Sequence, residues 1–329
     1  MSVVSRQRSS TGRLRRLAWP VGGAAAVLVV AIGAAVILRP GGPAPAAGST
    51  GPAAASTGPA ASVGALSAPA ASAPPSSGAP SVAPSRSAAT TSNPAPVRFA
   101  TLPPGAALPS DAQCATWVRA RPYPETKGTN RSANQSTGHG VGAAFFNGDD
   151  PRANSRIAAR VDGRFTGTTR EILRWAACKW GVDEDLVLAQ AAVESWWRQD
   201  TRGDWTGDAT RCAPGHGLGA DGKPGQCPES FGILQNRYPY EKSGWPGIAG
   251  STAMNADLGY AIWRTCFEGY EGWLNMVDRG QPYAAGDAWG CVGRWFSGRW
   301  HTAAGDQYVA KVRGYLDQRI WETANFQQP

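Results

Sequence analysis

Hydrophobic side chains form one continuous run near the N-terminus, are sparse over residues 41–96, and return with helical spacing from residue 97 onwards. Within that last part, residues 186–193 (LVLAQAAV) contain a single polar side chain, Gln190. An α-helix that is apolar on nearly every side belongs in the interior of a domain. The pattern therefore predicts a central buried helix from Asp183 to Arg198, with Asp183 as its N-cap.

Several more helices are predicted around this central one. Thr168 and Glu171 form a capping-box pattern that opens a helix with one apolar face, ending at Gly181. No segment shows the sustained alternation of a β-strand, and a long loop is expected from the central helix to Glu229. The sequence predicts an all-α domain, with α+β as the alternative. Further helices are predicted near residues 114–119, 252–267, 285–296 and 306–321, while residues 121–165 look irregular.

The N-terminal apolar run, residues 17–38, is 22 residues long and carries no charge. That length is sufficient to cross a bilayer. Residues 1–16 contain five arginines and no acid, which predicts a cytoplasmic basic tail followed by a transmembrane helix. The chain is thus expected to be a single-pass membrane protein with its C-terminal domain outside the cell membrane. The alternative is secretion after cleavage of a signal peptide near residues 44–46.

Composition separates a linker from a domain. Residues 39–96 consist mainly of Ala, Pro, Ser, Gly and Thr, too few large apolar side chains to fold, so they are predicted to be a disordered linker. The remainder holds all 24 acidic residues but only 25 of the 32 basic ones, so it is almost neutral. A neutral domain offers no electrostatic basis for binding nucleic acid. Its 13 tryptophans suit a carbohydrate partner better.

All six cysteines lie in this exported part, which predicts three disulfides. Cys212 and Cys227 flank a Gly- and Pro-rich stretch that has no apolar periodicity, so we expect a bond between them. The partners of the other four cysteines stay open. No cysteine pair has C-x-x-C spacing and the three histidines are scattered, so neither a metal site nor a cofactor is predicted.

Glu194 is the principal candidate for catalysis. It lies near the negative, C-terminal end of the predicted central helix and is followed closely by Trp196 and Trp197. Desolvation and the helix dipole both disfavour its charged form, and a raised pKa suits a general acid that works near neutral pH. The alternative is an ordinary surface glutamate at a fraying helix end.

A second informative segment is Ser230 to Gln235 (SFGILQ), which combines a hydroxyl, a glycine and an amide that could contact sugar groups. Together with residues 180–183 (WGVD) and 189–195 (AQAAVES), this segment resembles the soluble lytic transglycosylase domain of the lysozyme-like superfamily. The resemblance implies a lysozyme-like helical domain over residues 168–329, preceded by an irregular extension over residues 97–167. It also implies that Glu194 is the general acid and base, and that Gly232 and Gln235 are at the glycan.

Two departures from that family are visible. Glu194 and Gln235 are 41 residues apart, wider than usual, and the excess coincides with the loop between Cys212 and Cys227. The family's later Ala-Tyr-Asn motif is absent, and residues 292–300 (VGRWFSGRW) stand in its place. Trp295 and Ser297 are expected to substitute there as stacking and polar groups.

The resemblance implies cleavage of the bond between N-acetylmuramic acid and N-acetylglucosamine in peptidoglycan, with formation of a 1,6-anhydro ring. A lysozyme-type hydrolase is the first alternative, and it would usually need a second carboxylate. A non-catalytic module that binds the cell wall is the second. The oligomeric state is not predicted. The acids near Glu194 in sequence are Asp200, Asp204, Asp208 and Glu229.

Overall fold

A computed structural model of the chain describes residues 96–146 and 150–328. The predicted cytoplasmic tail, the predicted transmembrane helix and all but the last residue of the predicted linker lie outside these ranges. No helix within the described ranges is long and apolar enough to cross a membrane. The described residues form the domain that follows the linker.

The domain is mostly helical, as the sequence predicted, and it also contains a small sheet. Its α-helices are α1 Asp111–Arg119, α2 Arg131–Gln135, α3 Thr169–Trp180, α4 Glu184–Ser195, α5 Gly247–Gly250, α6 Thr252–Phe267, α7 Ala288–Ser297, α8 Ala303–Asp317 and α9 Ala324–Gln327. Its strands are β1 Arg202–Thr206, β2 Cys227–Phe231 and β3 Asn236–Arg237.

The predicted helix ends follow the capping residues. Thr168 and Glu171 make the reciprocal capping box of α3, and Gly181 ends that helix in the left-handed region at φ 57°. Asp183 caps α4 by accepting from the backbone N–H groups of residues 185 and 186. The predicted central helix is too long at its far end, because Trp196 takes the left-handed conformation at φ 58° and stops α4 at Ser195.

Two helices form the centre of the domain. Helix α4 is buried along most of its length, as predicted, and α6 is buried at every residue. Helices α3 and α8 pack against α4, and α3 also packs against α6. Apolar residues from the predicted extension, including Phe99, Val118 and Phe146, belong to the same core as those of α4 and α6. The proposed boundary between residues 167 and 168 therefore does not separate two cores.

Buried polar groups join α6 to its neighbours. Asp257 of α6 is fully buried and accepts from Lys179 Nζ at 2.9 Å and from Trp180 Nε1 at 2.8 Å, both on α3. It also accepts from the backbone N–H groups of Asp162 at 2.9 Å and Gly163 at 2.8 Å. Charged groups can be buried at this depth only when they are paired and hydrogen-bonded, so this cluster fixes the relative positions of α3 and α6.

No segment of the sequence signalled a strand, but a small sheet is present, as the α+β alternative allowed. Strand β2 pairs antiparallel with both β1 and β3, so a three-stranded sheet occupies part of the predicted long loop. The strands are at most five residues long, and neither β1 (RGDWT) nor β2 (CPESF) alternates apolar and polar residues. Glu229 of β2 is buried because it pairs with Arg211 and Arg237, so an acid occupies a position where the pattern of a strand predicts an apolar side chain.

Three disulfides cross-link the domain, as the six cysteines predicted. The expected bond between Cys212 and Cys227 is present, with a Cα–Cα distance of 5.7 Å. It joins one end of the Gly- and Pro-rich stretch to the first residue of β2. The pairs that the sequence left open are Cys114 with Cys178, which joins α1 to α3, and Cys266 with Cys291, which joins α6 to α7.

Candidate active site

Glu194 lies in a cleft of about 750 Å³ at the C-terminal end of α4. The wall of this cleft is contributed by residues 145–146, by β1, by β3 with the residues on either side of it, by α6 and residues 271–273 beyond it, and by α7 with the two residues that follow it. The residues that line it with Glu194 are Phe145, Phe146, Gly203, Asp204, Gln235, Arg237, Tyr240, Glu241, Ile262, Glu271, Trp273, Arg294, Trp295, Phe296, Ser297, Gly298 and Arg299.

Two hydrogen-bond donors hold the Glu194 carboxyl group. The hydroxyl of Tyr308, on α8, donates to Glu194 Oε1. The indole N–H of Trp295, on α7, donates to the same carboxyl group. Since α7 and α8 pack together and α8 packs on α4, the two donors approach Glu194 from neighbouring helices and fix its position in the cleft.

Burial raises the pKa of Glu194 from 4.5 to about 7. The donors Tyr308 and Trp295 act in the opposite direction, because they stabilise the carboxylate, while the negative charge of Asp204 adds to the rise in pKa. Desolvation outweighs the two hydrogen bonds, so a large fraction of Glu194 is protonated at neutral pH. A carboxyl group with a pKa close to the working pH can both donate and accept a proton in one reaction cycle.

A polar network behind Glu194 runs along one face of α4. The side chain of Tyr308 is hydrogen-bonded to Gln190 as well as to Glu194. Tyr260 of α6 donates to the carbonyl of Val187 at 3.2 Å and contacts Gln190 Oε1 at 3.4 Å. Burial raises the pKa of Tyr308 well above its usual range, so its hydroxyl remains a neutral donor to Glu194.

The aromatic surroundings of Glu194 differ from those predicted. Trp196 packs against Phe326 and Tyr315, with ring centroids 4.6 and 6.0 Å apart, and Trp197 packs on Phe326 at 4.9 Å. These two tryptophans therefore anchor the C-terminal segment instead of supplying donors to the carboxyl group. The tryptophan bonded to Glu194 is Trp295, from a different helix.

Of the four acids that lie near Glu194 in the sequence, Asp204 is the one that lines the cleft with it. It lies in β1 with a positive φ of 49°, a conformation that few non-glycine residues adopt. Its side chain accepts a hydrogen bond from Ser230 Oγ and lies 3.4 Å from Arg237 Nε. About half of the side chain is exposed, so the carboxylate remains accessible from the cleft.

The other acids considered from the sequence lie elsewhere. Asp200 pairs with Arg198 at 3.2 Å on the surface, and Asp208 accepts from the backbone N–H of Thr210 at 2.9 Å. Glu229 is buried behind the sheet between its two arginine partners. None of these three belongs to the residues that line the cleft.

Ser230 and Gly232 lie behind the cleft wall. Ser230 is fully buried in β2, where its hydroxyl positions Asp204. Gly232 has φ +82°, and a Cβ atom there would lie 2.2 Å from Asn255 Nδ2 and 2.6 Å from Gln199 Nε2. The glycine is thus required by close packing against these amides, and the expected contact between Gly232 and a glycan is not the role that its position indicates.

Gln235 does line the cleft, and the segment that carries it is fixed to two helices. Its Nε2 donates to the carbonyl of Gly232 at 2.8 Å. Leu234 N–H donates to Asn255 Oδ1 of α6 at 2.8 Å, and Ser195 Oγ of α4 donates to the Ile233 carbonyl at 2.8 Å. The serine that follows Glu194 therefore joins α4 to the SFGILQ segment.

Both residues that were expected to replace the missing third motif line the cleft. Trp295 bonds to Glu194, as described above. The hydroxyl of Ser297 lies at the end of α7, 2.9 Å from each of the carbonyl oxygens of Gly293 and Arg299, and can donate its proton to either. Between them, Phe296 is 58% exposed and stacks on Tyr308 with ring centroids 4.9 Å apart.

Three residues that lie at the cleft or bond to Glu194, namely Tyr308, Glu241 and Arg294, are not among the site residues that the sequence predicted. Tyr308 lies in the last predicted helix, near residues 306–321, and the one signal for its role was that a buried tyrosine hydroxyl needs a hydrogen-bond partner. Glu241 and Arg294 carried no sequence signal. Burial raises the pKa of Glu241 to about 8, although the positive charge of Arg294 acts against that rise.

Within residues 96–146 and 150–328, no group of three or more His, Cys, Asp or Glu side chains has an arrangement that could hold a metal ion.

The chain was also compared with protein families, with curated proteins and with solved structures, and none of the three comparisons gave a match.

Proposed function

We propose that the chain is an enzyme that cleaves the glycan strands of peptidoglycan, with Glu194 as general acid and then general base. The observation that carries the proposal is a carboxyl group with a pKa of about 7, held by two donors inside a cleft lined with aromatic side chains. The cleft volume lies in the range of small-molecule sites. The resemblance of residues 180–183, 189–195 and 230–235 to lytic transglycosylases supports a lysozyme-like fold and that reaction type.

In the first step, protonated Glu194 donates its proton to the glycosidic oxygen between N-acetylmuramic acid and N-acetylglucosamine. The bond from that oxygen to the muramic anomeric carbon breaks, and the sugar leaves with a hydroxyl group. The oxygen of the neighbouring acetamido group forms a bond to the anomeric carbon in its place, as in glycosidases that use substrate assistance. Glu194 is then ionised, and the N–H of Trp295 and the hydroxyl of Tyr308 stabilise its charge.

In the second step, the C6 hydroxyl of the same muramic acid attacks the anomeric carbon. Glu194 accepts the hydroxyl proton, the bond to the acetamido oxygen breaks, and a 1,6-anhydro ring closes. The carboxyl group returns to its protonated form, so no further acid and no water are consumed. A pKa near 7 suits both halves of this cycle, because donation and acceptance are then nearly balanced.

A lysozyme-type hydrolase is the second candidate, and one specific observation favours it. Asp204 lines the same cleft as Glu194, and its charge acts on the Glu194 carboxyl group. An ionised aspartate in that position could orient a water molecule or stabilise the positive charge that develops at the anomeric carbon. A hydrolase would therefore depend on Asp204 for the chemical step, whereas a lytic transglycosylase would not.

The test is the chemistry of the product ends. The full-length chain is incubated with peptidoglycan, and the soluble products are identified by mass spectrometry. Release of 1,6-anhydro-muropeptides by the parent chain and by Asp204→Asn supports the transglycosylase. Reducing ends that disappear with Asp204→Asn support the hydrolase, and binding to the wall without release of any product supports a non-catalytic module.

The proposed location follows from the predicted transmembrane helix at residues 17–38, with the domain tethered outside the membrane by the predicted linker. Protease added to intact spheroplasts should remove the domain, detected with an antibody against residues 97–329. Survival of the domain in spheroplasts, with digestion after lysis, would contradict that location. The secreted alternative predicts the domain in the culture medium.

A further inference from the structure

Several residues that line the cleft carry a buried polar atom that makes no hydrogen bond to a described residue. Among these atoms are Oε2 of Glu241, from the turn after β3, and Nε of Arg294, on α7; Nε of Arg237 is another, but it lies 3.4 Å from Asp204. A buried polar atom without a partner is costly, so such atoms in a native structure call for a ligand or another explanation. Glu241 and Arg294 line the cleft that contains Glu194, and Arg294 immediately precedes Trp295, the donor to Glu194.

Glu241 and Arg294 form no ion pair with each other, and the two arginines whose charges act on Glu241 each pair with another acid. Arg294 pairs with Glu271 through Nη2, and its guanidinium carbon lies 5.5 Å above the ring of Trp273. Arg237, the other arginine whose charge acts on Glu241, pairs with Glu229 and lies 3.4 Å from Asp204. Arg294 is therefore held in place, while its buried Nε–H makes no hydrogen bond to a residue that the structure describes.

We propose that Glu241 and Arg294 form a subsite that binds a secondary amide of the substrate. The amide carbonyl accepts from Arg294 Nε–H, and the amide N–H donates to Glu241 Oε2. Donor and acceptor groups of a secondary amide point in opposite directions, so one amide can bond to two side chains on opposite sides of it. The inference rests on the proposed function, because it assigns part of the glycan substrate to the same cleft.

A neutral amide fits the charges on this wall better than a carboxylate ligand. The two arginines nearest Glu241 are already neutralised by Glu271, Glu229 and Asp204. A second carboxylate beside Glu241 would add negative charge that neither of these two arginines is free to balance. An amide adds no charge, and a carboxyl group offers an acceptor oxygen in either protonation state.

Peptidoglycan offers this amide from two sources. Every sugar carries an acetamido group, and the peptide stem is joined to the lactyl group of muramic acid through a further amide. Three soluble probes separate the sources: chitopentaose, glycan strands from which an amidase has removed the stems, and strands that retain uncrosslinked stems. The first two carry acetamido groups only.

The experiment measures affinity by calorimetry in the full-length Glu194→Gln chain, which cannot cleave the probes by the proposed mechanism. Glu241→Leu removes the acceptor, and we expect binding of the recognised probe to weaken about tenfold, typical for one hydrogen bond. Arg294→Lys keeps a positive charge for Glu271 but lacks Nε–H, and a similar loss is expected. Glu241→Gln retains an acceptor oxygen and should bind within about threefold of the parent.

The control is Lys242→Leu, which removes a charge from the neighbouring exposed position and should leave all three affinities unchanged. Thermal melting of each variant shows that it is folded. If affinity is lost only for strands that retain stems, the bound amide is the one that joins the stem to muramic acid. If affinity is lost for all three probes, the bound amide is an acetamido group. Unchanged affinities in Glu241→Leu and Arg294→Lys, or an equal loss in Lys242→Leu, would overturn the subsite.

The comparison of binding affinities does not require the chain to be catalytically active. A parent chain that binds the strands but releases no product refutes the proposed reaction, and the subsite is still decided by the variants. A parent chain that binds none of the three probes overturns both proposals.

Discussion

The hydroxyl of Tyr308 on α8 donates a hydrogen bond to the carboxyl group of Glu194 on α4, although the two residues are 114 positions apart in the sequence. The same hydroxyl is in contact with Gln190, one turn earlier on α4. The protonation of the proposed catalytic residue is therefore set by a helix near the C-terminus of the domain as well as by its own helix.

Tyr308→Phe should raise the pKa of Glu194 further, because the lost donor stabilises the charged carboxylate. A general acid works below its pKa, so the alkaline limb of the pH–rate profile should move to higher pH. The matched control is Tyr260→Phe. The hydroxyl of Tyr260 bonds to the Val187 carbonyl and contacts Gln190 instead of Glu194. An alkaline limb that stays in place in Tyr308→Phe, or moves equally in Tyr260→Phe, would contradict this assignment.

The stability of Glu194→Gln relative to the parent should depend on pH. The pKa of Glu194 is about 7 in the folded chain and near 4.5 when the chain is unfolded, so the folded state binds the proton more tightly. The free energy of unfolding of the parent therefore falls, relative to that of the variant, as pH rises from about 4.5 to about 7. Above that window the variant should be more stable by up to about 3 kcal/mol, and below it the difference should be lost.

Urea unfolding of both proteins across this range measures that difference. Other titrating groups contribute equally to the two chains and cancel. A difference in stability that does not change with pH would show that the folded state does not raise the pKa of Glu194.

Asp257→Ala should cost about 3–5 kcal/mol of unfolding free energy, because it leaves the buried ammonium group of Lys179 without its closest partner. Asp162→Ala is the matched control. Asp162 also bonds to Lys179, at 3.2 Å, but the side chain of Asp162 is 27% exposed. Its loss should therefore cost much less unfolding free energy. Chemical unfolding of the two variants checks the order, and equal losses would count against a specific role for Asp257.

Removal of the disulfides should destabilise the domain in the order of the loops that they close. The Cys114–Cys178 bond spans 64 residues and the Cys212–Cys227 bond spans 15. The chain-entropy account gives about 4 kcal/mol for the first and about 3 kcal/mol for the second. Melting of the two double serine variants tests the order, and hydrogen exchange should show that loss of the second bond loosens residues 212–227 before α4. Exchange that rises first in α4 would contradict the local role of that bond.

The helices were predictable because their signals are local. Capping residues such as Thr168 and Asp183 act within one turn, and the apolar run of α4 is continuous in the sequence. The strands were missed because their stability comes from distant partners. In β2, Glu229 is buried only because Arg211 and Arg237 neutralise it, and no local pattern encodes that pairing.

The same difference between local signals and distant partners decided which residues of the candidate site could be predicted. Glu194 could be chosen because a carboxylate within an apolar helix is conspicuous in the sequence. Its donors could not, because Trp295 and Tyr308 reach it only through the packing of α7 and α8 on the rest of the domain. The roles of Ser230 and Gly232 also depend on contacts with Asp204 and Asn255 that only the fold creates.

The most direct test compares the full-length parent chain with Glu194→Gln for release of 1,6-anhydro-muropeptides from peptidoglycan. Glutamine keeps the size of the side chain and an acceptor for Tyr308 and Trp295 but has no proton to transfer. We predict that product release falls by at least about 10²- to 10⁴-fold, the usual contribution of general acid–base catalysis, while the variant melts no lower than the parent near neutral pH. A variant that melts normally and releases product at the parental rate would show that Glu194 is not the catalyst.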